Sequence, residues 1–172
     1  MVEIRNLTAN EARPYLTGLA EILLDCIGGG ASVSFMASFT PAEAHSYFEK
    51  VLADVERGER ILLAALLDSK LVGTVQIVLA TPPNQPHRAD IAKLLVHRSA
   101  RRAGIAARLM EFAEQASRLA GKTLLVLDTA TGSGAERLYE KLGWNRVGVI
   151  PKYAMNPDGS WGDTTIFWKR LS

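Results

Sequence analysis

Two short apolar segments, separated by the length of one helix, constrain the fold of this chain more than any other feature. Residues 90–96 and 123–127 are strand-length runs in which apolar side chains occupy both faces. The apolar positions between them recur at helical spacing, at Ile105, Leu109, Phe112, Ala116 and Leu119, and Gly121 ends the helix. Strands that are apolar on both faces must be covered on both faces, as parallel strands at the centre of a sheet are. The sequence therefore predicts a central strand–helix–strand unit.

The remaining segments complete a mixed α/β pattern. Thr8-x-x-Glu11 and Thr40-Pro41-x-Glu43 have the form of capping boxes, and the first predicts one helix that runs to about Ile27. A three-residue connection, residues 68–70, predicts a β-hairpin. Strands are expected at 2–7, 61–67, 71–80, 90–96, 123–127, 146–153 and 165–169, and helices at about 9–27, 41–57, 105–120 and 133–142. The predicted order is βααβββαβαββ.

Length, composition and charge narrow the class of protein. A chain of 172 residues with 48% hydrophobic content is expected to form one domain, residues 1–172. The formal charge of +2 comes from scattered residues, which gives no case for a nucleic-acid or membrane partner. The only cysteine, Cys26, is expected to be a buried helix residue, and His45, His87 and His97 lack metal-ligand spacing. With no leader or apolar span visible, we expect a cytoplasmic protein.

The start of the central helix carries an unusual concentration of positive charge. Arg98, Arg101 and Arg102 crowd the end where the helix dipole is already positive, and Gly104 allows close approach to the backbone. Free N–H groups ringed by arginine form an anion site, and phosphate is the expected ligand. The alternative is a basic, solvated turn. No Walker motif or dinucleotide glycine spacing is present.

This segment resembles a known family signature. Arg101-x-x-Gly104-Ile105-Ala106 is similar to the Arg/Gln-x-x-Gly-x-Gly/Ala motif of the GNAT superfamily of N-acetyltransferases. The resemblance implies a central mixed sheet of six to seven strands, splayed between two parallel strands and flanked by about four helices. It also implies acetyl-CoA as cofactor, with the pantetheine beside Leu94, Leu95 and Val96. The pyrophosphate would lie on Arg101, Arg102, Ala103, Gly104, Ile105 and Ala106.

The last predicted helix contains the best candidate for a general acid. Ala135 to Trp144 resembles the Ala-x-x-x-Tyr-x-x-x-Gly-Phe box of the family, which places Tyr139 near the departing thiolate. A phenol with a pKa of ~10 can protonate a thiolate without being ionised near neutrality. Core packing is the alternative role for Tyr139. Gly132 stands where the family usually has a cofactor-binding Asn, and Ser133 is the candidate to replace it.

Two carboxylates are candidates for the general base. Asp90 enters one central strand and Asp128 leaves its neighbour, so both are expected to face the cleft between them. Desolvation can raise the pKa of a carboxylate, and a water can relay the proton. Asp90 has pairing with Arg88 or Lys93 as an alternative role, and Asp128 has capping of the following loop.

Further segments resemble one group within the superfamily. Residues 28–36, 87–90, 127–133 and 153–159 are similar to the tabtoxin-resistance acetyltransferases, which implies acetylation of an amino-acid-like toxin. The loop 28–36 would then cover the acceptor through Ser32, Phe35 and Met36, whereas a flexible linker is the alternative for a Gly-rich stretch. We expect N-acetyl transfer to a small-molecule amine by a monomer or homodimer. A non-catalytic CoA sensor and an acetyltransferase of protein amines are the alternatives.

Overall fold

The computed structural model describes residues 1–172, and its elements follow the predicted order. The strands are β1 (Val2–Leu7), β2 (Arg60–Leu67), β3 (Lys70–Val78), β4 (Arg88–Val96), β5 (Leu124–Ala130), β6 (Asn145–Met155) and β7 (Trp161–Arg170). The helices are α1 (Ala9–Ala12), α2 (Leu16–Gly28), α3 (Pro41–Glu56), α4 (Ile105–Leu119) and α5 (Gly134–Lys141), with 3₁₀ turns at Arg13–Tyr15 and Arg98–Ala100. No helix of the chain has the length and apolar character needed to cross a bilayer.

All seven strands form one sheet in the order β1-β2-β3-β4-β5-β7-β6. Only β4 and β5 are parallel, as predicted for the two apolar runs, and their pairing covers just Arg88 to Asp90 against Leu124 to Val126. Beyond these three pairs the strands separate. On the other side of β4 the register with β3 shifts between Thr74 and Gln76, and Lys93 takes a left-handed φ of 53°. A bulge of this kind re-aims side chains and bends the strand away from its neighbour. The result is an opening between β4 and β5.

Two hydrophobic cores cover the two faces of the sheet. Helix α4 packs on one face with Leu109 and Met110 fully buried, and α2 and α3 pack on the other around Leu23 and Phe48. The α2/α3 layer does not cover β5 on that face, because Leu124 and Val126 stay partly exposed there while Leu125 and Leu127 are buried in the α4 core. The opening between β4 and β5 therefore faces a cleft on the α2/α3 side.

Local chemistry explains where the sequence prediction and the structure differ. Pro14 has no N–H to donate, so the single helix predicted up to Ile27 is divided into α1, a 3₁₀ turn and α2. The predicted three-residue hairpin connection is a two-residue turn, in which Asp68 and Ser69 have positive φ angles of 49° and 67°. Both predicted capping boxes are present.

The apolar stripe of α4 lies about one residue from where the spacing placed it. Phe112 is 37% exposed and Leu119 is 91% exposed, whereas Met110 and Ala113 are buried. Glu114, expected on the solvent side, is buried and accepts a hydrogen bond from Lys169 Nζ at 2.7 Å. Lys169 of β7 thus supplies the partner that allows Glu114 to be buried.

Candidate active site

The turn before α4 presents a row of unpaired backbone N–H groups. Arg102 and Gly104 both have left-handed φ angles, 64° and 72°, and Gly104 is the N-cap residue of α4. None of the N–H groups of residues 102–107 donates to the preceding loop, whereas the N–H of Arg108 bonds to Gly104 O at 3.1 Å. A Cβ at Gly104 would meet no atom within 4 Å, so the space in front of these groups is open. Such a concave row of donors at a helix N-terminus binds phosphate oxygens.

The three arginines near this turn do not play the same part. The carboxylate of Asp25, near the end of α2, accepts hydrogen bonds from the backbone N–H of Arg98 at 2.9 Å and from its Nε. Arg101 Nε donates to Val96 O at 3.2 Å, with its Nη2 3.9 Å from Asp25 Oδ2. Arg102 is exposed and makes no ion pair. Arg102 is thus the arginine free to reach a diphosphate, while Arg98 and Arg101 hold the turn against α2.

Asp25, which pairs with Arg98, is a largely buried carboxylate. Its side chain is only 10% exposed. Burial alone would raise the pKa of the Asp25 carboxyl, but the hydrogen bonds from Arg98 outweigh that effect and lower the pKa. The carboxylate stays ionised near neutrality. No sequence pattern points to Asp25, because its partner Arg98 lies 73 positions away.

The segment 94–96 presents alternating residues to the opening. The N–H of His97 donates to Val72 O of β3 at 2.9 Å. Because successive residues of a strand direct their N–H groups to opposite sides, Leu94 and Val96 direct theirs toward the β5 side. Leu95 points its N–H to β3, and its side chain is buried in the α2/α3 core. Leu94 and Val96, but not Leu95, therefore offer backbone groups to a ligand in the opening.

Tyr139 lies on α5 at the edge of the core. The residue is 5% exposed, and its ring packs 6.0 Å from the ring of Trp144 and 5.9 Å from that of Phe167. Burial raises the pKa of the phenol, and the negative charge of Asp128 raises it further. Only Gln76 Nε2 and Trp144 Nε1 are fully buried polar side-chain atoms without a partner. The Tyr139 hydroxyl makes no hydrogen bond in the protein and is not one of these two atoms, so it retains some contact with solvent.

Ser133 is occupied at the start of the same helix. Its Oγ accepts from the N–H of Glu136 at 3.1 Å as the N-cap of α5. The N–H of Gly132 is bonded to the Glu136 carboxylate. Ser133 therefore keeps only its hydroxyl proton for a cofactor, and that proton has Thr129 Oγ1 at 3.4 Å as an alternative partner.

The two candidate carboxylates differ in their partners. Asp90 is paired with Arg88, whose Nη1 lies 2.5 Å from Asp90 Oδ1. This ion pair is the alternative role that was predicted for Asp90. Asp128 is exposed and makes no hydrogen bond or ion pair. It lies within β5 rather than at its end, so it does not cap the following loop. Asp128 acts electrostatically on both Lys93 and Tyr139, so it lies near both side chains.

The loop 28–36 contacts both α3 and β4. Phe35 stacks on Phe39 with ring centroids 4.2 Å apart, and Lys93 Nζ donates to Ser34 Oγ at 3.0 Å. Ser32 is half-buried and Met36 is largely at the surface. Lys93 and Ser34 were both missed by sequence analysis, since a lysine inside an apolar strand gave no sign of the bulge that turns it toward the loop.

A separate pocket of about 550 Å³ lies beside this loop, between the end of α2 and the β6–β7 hairpin. It contains neither Tyr139 nor Asp128, so it borders the candidate site without including the reacting groups. Its lining residues are Leu24, Ile27, Gly28, Gly30, Ala37, Phe39, Asn156, Pro157 and Asp158.

Solved structures share this fold over almost the whole chain. The Salmonella typhimurium protein yncA, solved with its cofactor acetyl-CoA, is 16% identical with a TM-score of 0.82 and coverage of 100% of this chain and 95% of that one. A ribosomal-protein-alanine N-acetyltransferase from Brucella melitensis is 19% identical, with a TM-score of 0.81 and coverage of 98% and 99%. A protein named as a phosphinothricin N-acetyltransferase is 18% identical, with a TM-score of 0.81 and coverage of 100% and 99%.

Structural similarity at 16–19% identity shows the fold, whereas a match to a family model shows the family. The model of the acetyltransferase (GNAT) family matches residues 31–144. These include most of the loop 28–36, the opening between β4 and β5, the turn before α4, and Tyr139. That match covers well over half of the 172 residues. The chain therefore belongs to the GNAT family of acetyltransferases and is an N-acetyltransferase that uses acetyl-CoA.

Proposed function

We propose that this enzyme transfers the acetyl group of acetyl-CoA to the amine of a small, amino-acid-like molecule, by direct attack of the amine on the thioester. The observation that carries the proposal is the cleft itself. The amide-rich turn follows β4 at the open end of the β4–β5 gap, and β5 carries Asp128, an unpaired carboxylate close enough to the unpaired phenol of Tyr139 to raise its pKa.

The residues of the gap fit the cofactor. The N–H groups of 102–107 and the guanidinium of Arg102 would hold the diphosphate, since both are unpaired and the space before Gly104 is open. Leu94 and Val96 would bond the pantetheine arm through their N–H groups. The cofactor supplies an acetyl group as a thioester.

The chain's own residues divide the chemistry between two faces of the gap. A backbone N–H of β4 can polarise the thioester carbonyl. Asp128, directly or through a water, takes the proton of the attacking ammonium, because no other group in the protein occupies its oxygens. Tyr139, kept protonated by its raised pKa, donates its proton to the departing sulfur. Asp90 is paired with Arg88 and takes no direct part in this scheme.

The acceptor class rests on the loop 28–36. Phe35 of this loop stacks on Phe39, and Ser34 accepts a hydrogen bond from Lys93 on the β4 side of the gap, which favours a compact amine as the acceptor. The similarity of this loop and of 127–133 to the tabtoxin-resistance group supports an amino-acid-like toxin as one such acceptor.

Thiol release from acetyl-CoA across a panel of amines tests the proposal. The panel holds amino acids, polyamines, aminoglycosides, β-lactam amines and a peptide with an N-terminal alanine. Release with a small amine supports the proposal, and release with the peptide alone would assign a protein acceptor instead. Binding of acetyl-CoA by calorimetry with no release from any amine would identify a sensor.

A further inference from the structure

A polar cluster lies on the α2/α3 face of the sheet, next to the opening between β4 and β5. Gln76 of β3 stands opposite Ala92 in the register, beside the bulge at Lys93. Arg60 and Tyr47 contact Gln76 from β2 and α3. The same face carries Asp128 on β5, so cationic and amide groups on one side of the gap and a carboxylate on the other share one face of the sheet.

Gln76 holds a hydrogen-bond donor with no partner. The residue is 0% exposed, and its Oε1 accepts from Arg60 Nη1 at 2.6 Å and from the Tyr47 hydroxyl at 3.3 Å. Because a guanidinium only donates, the amide oxygen must face Arg60, and the orientation of the amide is settled. Its Nε2 is then left buried without an acceptor. Native proteins contain few such groups, and each is expected to have a reason.

Lys93 carries further unused donors. Its ammonium meets one neutral acceptor, Ser34 Oγ at 3.0 Å, and lies 5.7 Å from the centroid of the Phe35 ring. An ammonium has three protons to donate, so the Ser34 contact leaves two of them free for a ligand. Burial lowers the pKa of Lys93, nearby Asp128 opposes the shift, and Arg60 adds to it. An anion placed beside Lys93 would remove this cost of burial.

We infer that Lys93 and Gln76 form a subsite for a carboxylate on the acceptor, next to the amine that Asp128 receives. This inference rests on the proposed function and names the acid group that selects its substrate. An α-amino acid carries an ammonium and a carboxylate on one carbon, which matches an unpaired anion near a cation with free protons. The carboxylate would accept from Lys93 Nζ, and Gln76 Nε2, which is buried in the free protein, would join it once the acceptor displaces the side chains that cover it.

Matched acceptor sets test the subsite. Each set holds an amino acid, its primary amide and its decarboxylated amine, for example phenylalanine, phenylalaninamide and phenethylamine. The wild-type enzyme should favour the acid by roughly 10- to 100-fold in kcat/KM, the range of a hydrogen bond to a charged group. Lys93→Met should abolish this preference by raising KM for the acid while leaving the decarboxylated amine within about threefold. Lys93→Arg should retain part of the preference, and Lys70→Met on the exposed hairpin should leave it unchanged.

Gln76→Glu provides an independent variant that keeps the shape of the side chain. Its carboxylate would still accept from Arg60 but would repel an acid acceptor, so the preference should invert toward the decarboxylated amine. A wild-type enzyme that treats all three members of a set alike would overturn the inference. So would an equal loss for all three members in Lys93→Met, which indicates a structural role. Absence of thiol release from every amine would instead refute the proposed function.

Discussion

Replacing Tyr139 with phenylalanine tests the proposal that Tyr139 donates a proton to the leaving sulfur. The ring contacts with Trp144 and Phe167 are kept, and no hydrogen bond within the protein is lost. The free energy of unfolding near pH 7 should therefore change by less than about 0.5 kcal/mol. Any large effect on turnover would then belong to chemistry rather than to folding.

The size of the catalytic effect follows from the two pKa values involved. Positioned acids contribute about 10²- to 10⁴-fold to a rate. A thiol with a pKa of about 8.5 is a good leaving group, and proton transfer to it from a phenol whose pKa is raised by burial is uphill, so the lower end applies. We expect Tyr139→Phe to lower kcat about 100-fold, equivalent to about 2.7 kcal/mol.

Thiol release under saturating substrate measures kcat, and calorimetry measures acetyl-CoA affinity, which should stay within about twofold. Tyr153→Phe makes the same chemical change on the exposed face of β6 and should affect neither quantity. Unchanged kcat in Tyr139→Phe would refute the assignment of the acid. A parallel loss of affinity and stability would instead show that the residue is structural.

The same variant makes a prediction at high pH. The pKa of Tyr139 is raised in the folded protein by burial and by Asp128, whereas the unfolded chain ionises near ~10. Its contribution to stability is fully present below that pH and is lost as the pH rises toward the folded value. Urea unfolding should show that Tyr139→Phe loses less stability than wild type between about pH 9 and pH 11.

Three further substitutions test the cofactor turn and the base. Gly104→Glu should lower acetyl-CoA affinity more than about 100-fold, since it places a carboxylate in the phosphate turn; Gly121→Glu carries comparable backbone strain, with φ angles of 72° and 75°, and calorimetry should find its affinity intact. Asp25→Asn should destabilise the protein by about 1–3 kcal/mol at pH 7, as measured by urea unfolding. The difference from wild type should shrink as the pH falls through the lowered pKa of Asp25. Equal stabilities at pH 7 would contradict the role of Asp25 in holding Arg98. Asp128→Asn should lower kcat by about 10²- to 10⁴-fold with normal acetyl-CoA affinity, whereas Asp90→Asn, already paired with Arg88, should cost much less; the reverse order would exchange the two roles.

The sequence predicts the frame of this protein because that frame depends on local patterns. The apolar runs at 90–96 and 123–127 identify the two central parallel strands, and Thr40 with Glu43 marks the start of α3. These signals act within a few residues. The Arg101 to Ala106 turn is likewise local, and its open N–H groups lie where the glycine and the arginines predict them.

The site depends on contacts between distant residues, which local patterns do not encode. Three arginines near the turn look equivalent in sequence, but Asp25 on another helix engages Arg98 and leaves Arg102 free. Lys93 reads as an interruption of an apolar strand until the bulge directs it to Ser34. Buried Met110 and exposed Phe112 differ from the predicted stripe because the sheet, not the helix period alone, decides which face is covered.

The brief pairing of β4 with β5 also makes this gap a mechanical seam. Only three residue pairs join the four strands before the gap to the three strands after it. Within the sheet, the two parts of the domain are therefore connected over just three residues of each strand. A cofactor lying in the gap would bond to the free edge of β4 and occupy the space where the pairing with β5 stops. Saturating acetyl-CoA at 100 times its Kd should add about 2.7 kcal/mol to the unfolding free energy. Hydrogen exchange should slow along both edges of the seam, far from any new protein contact.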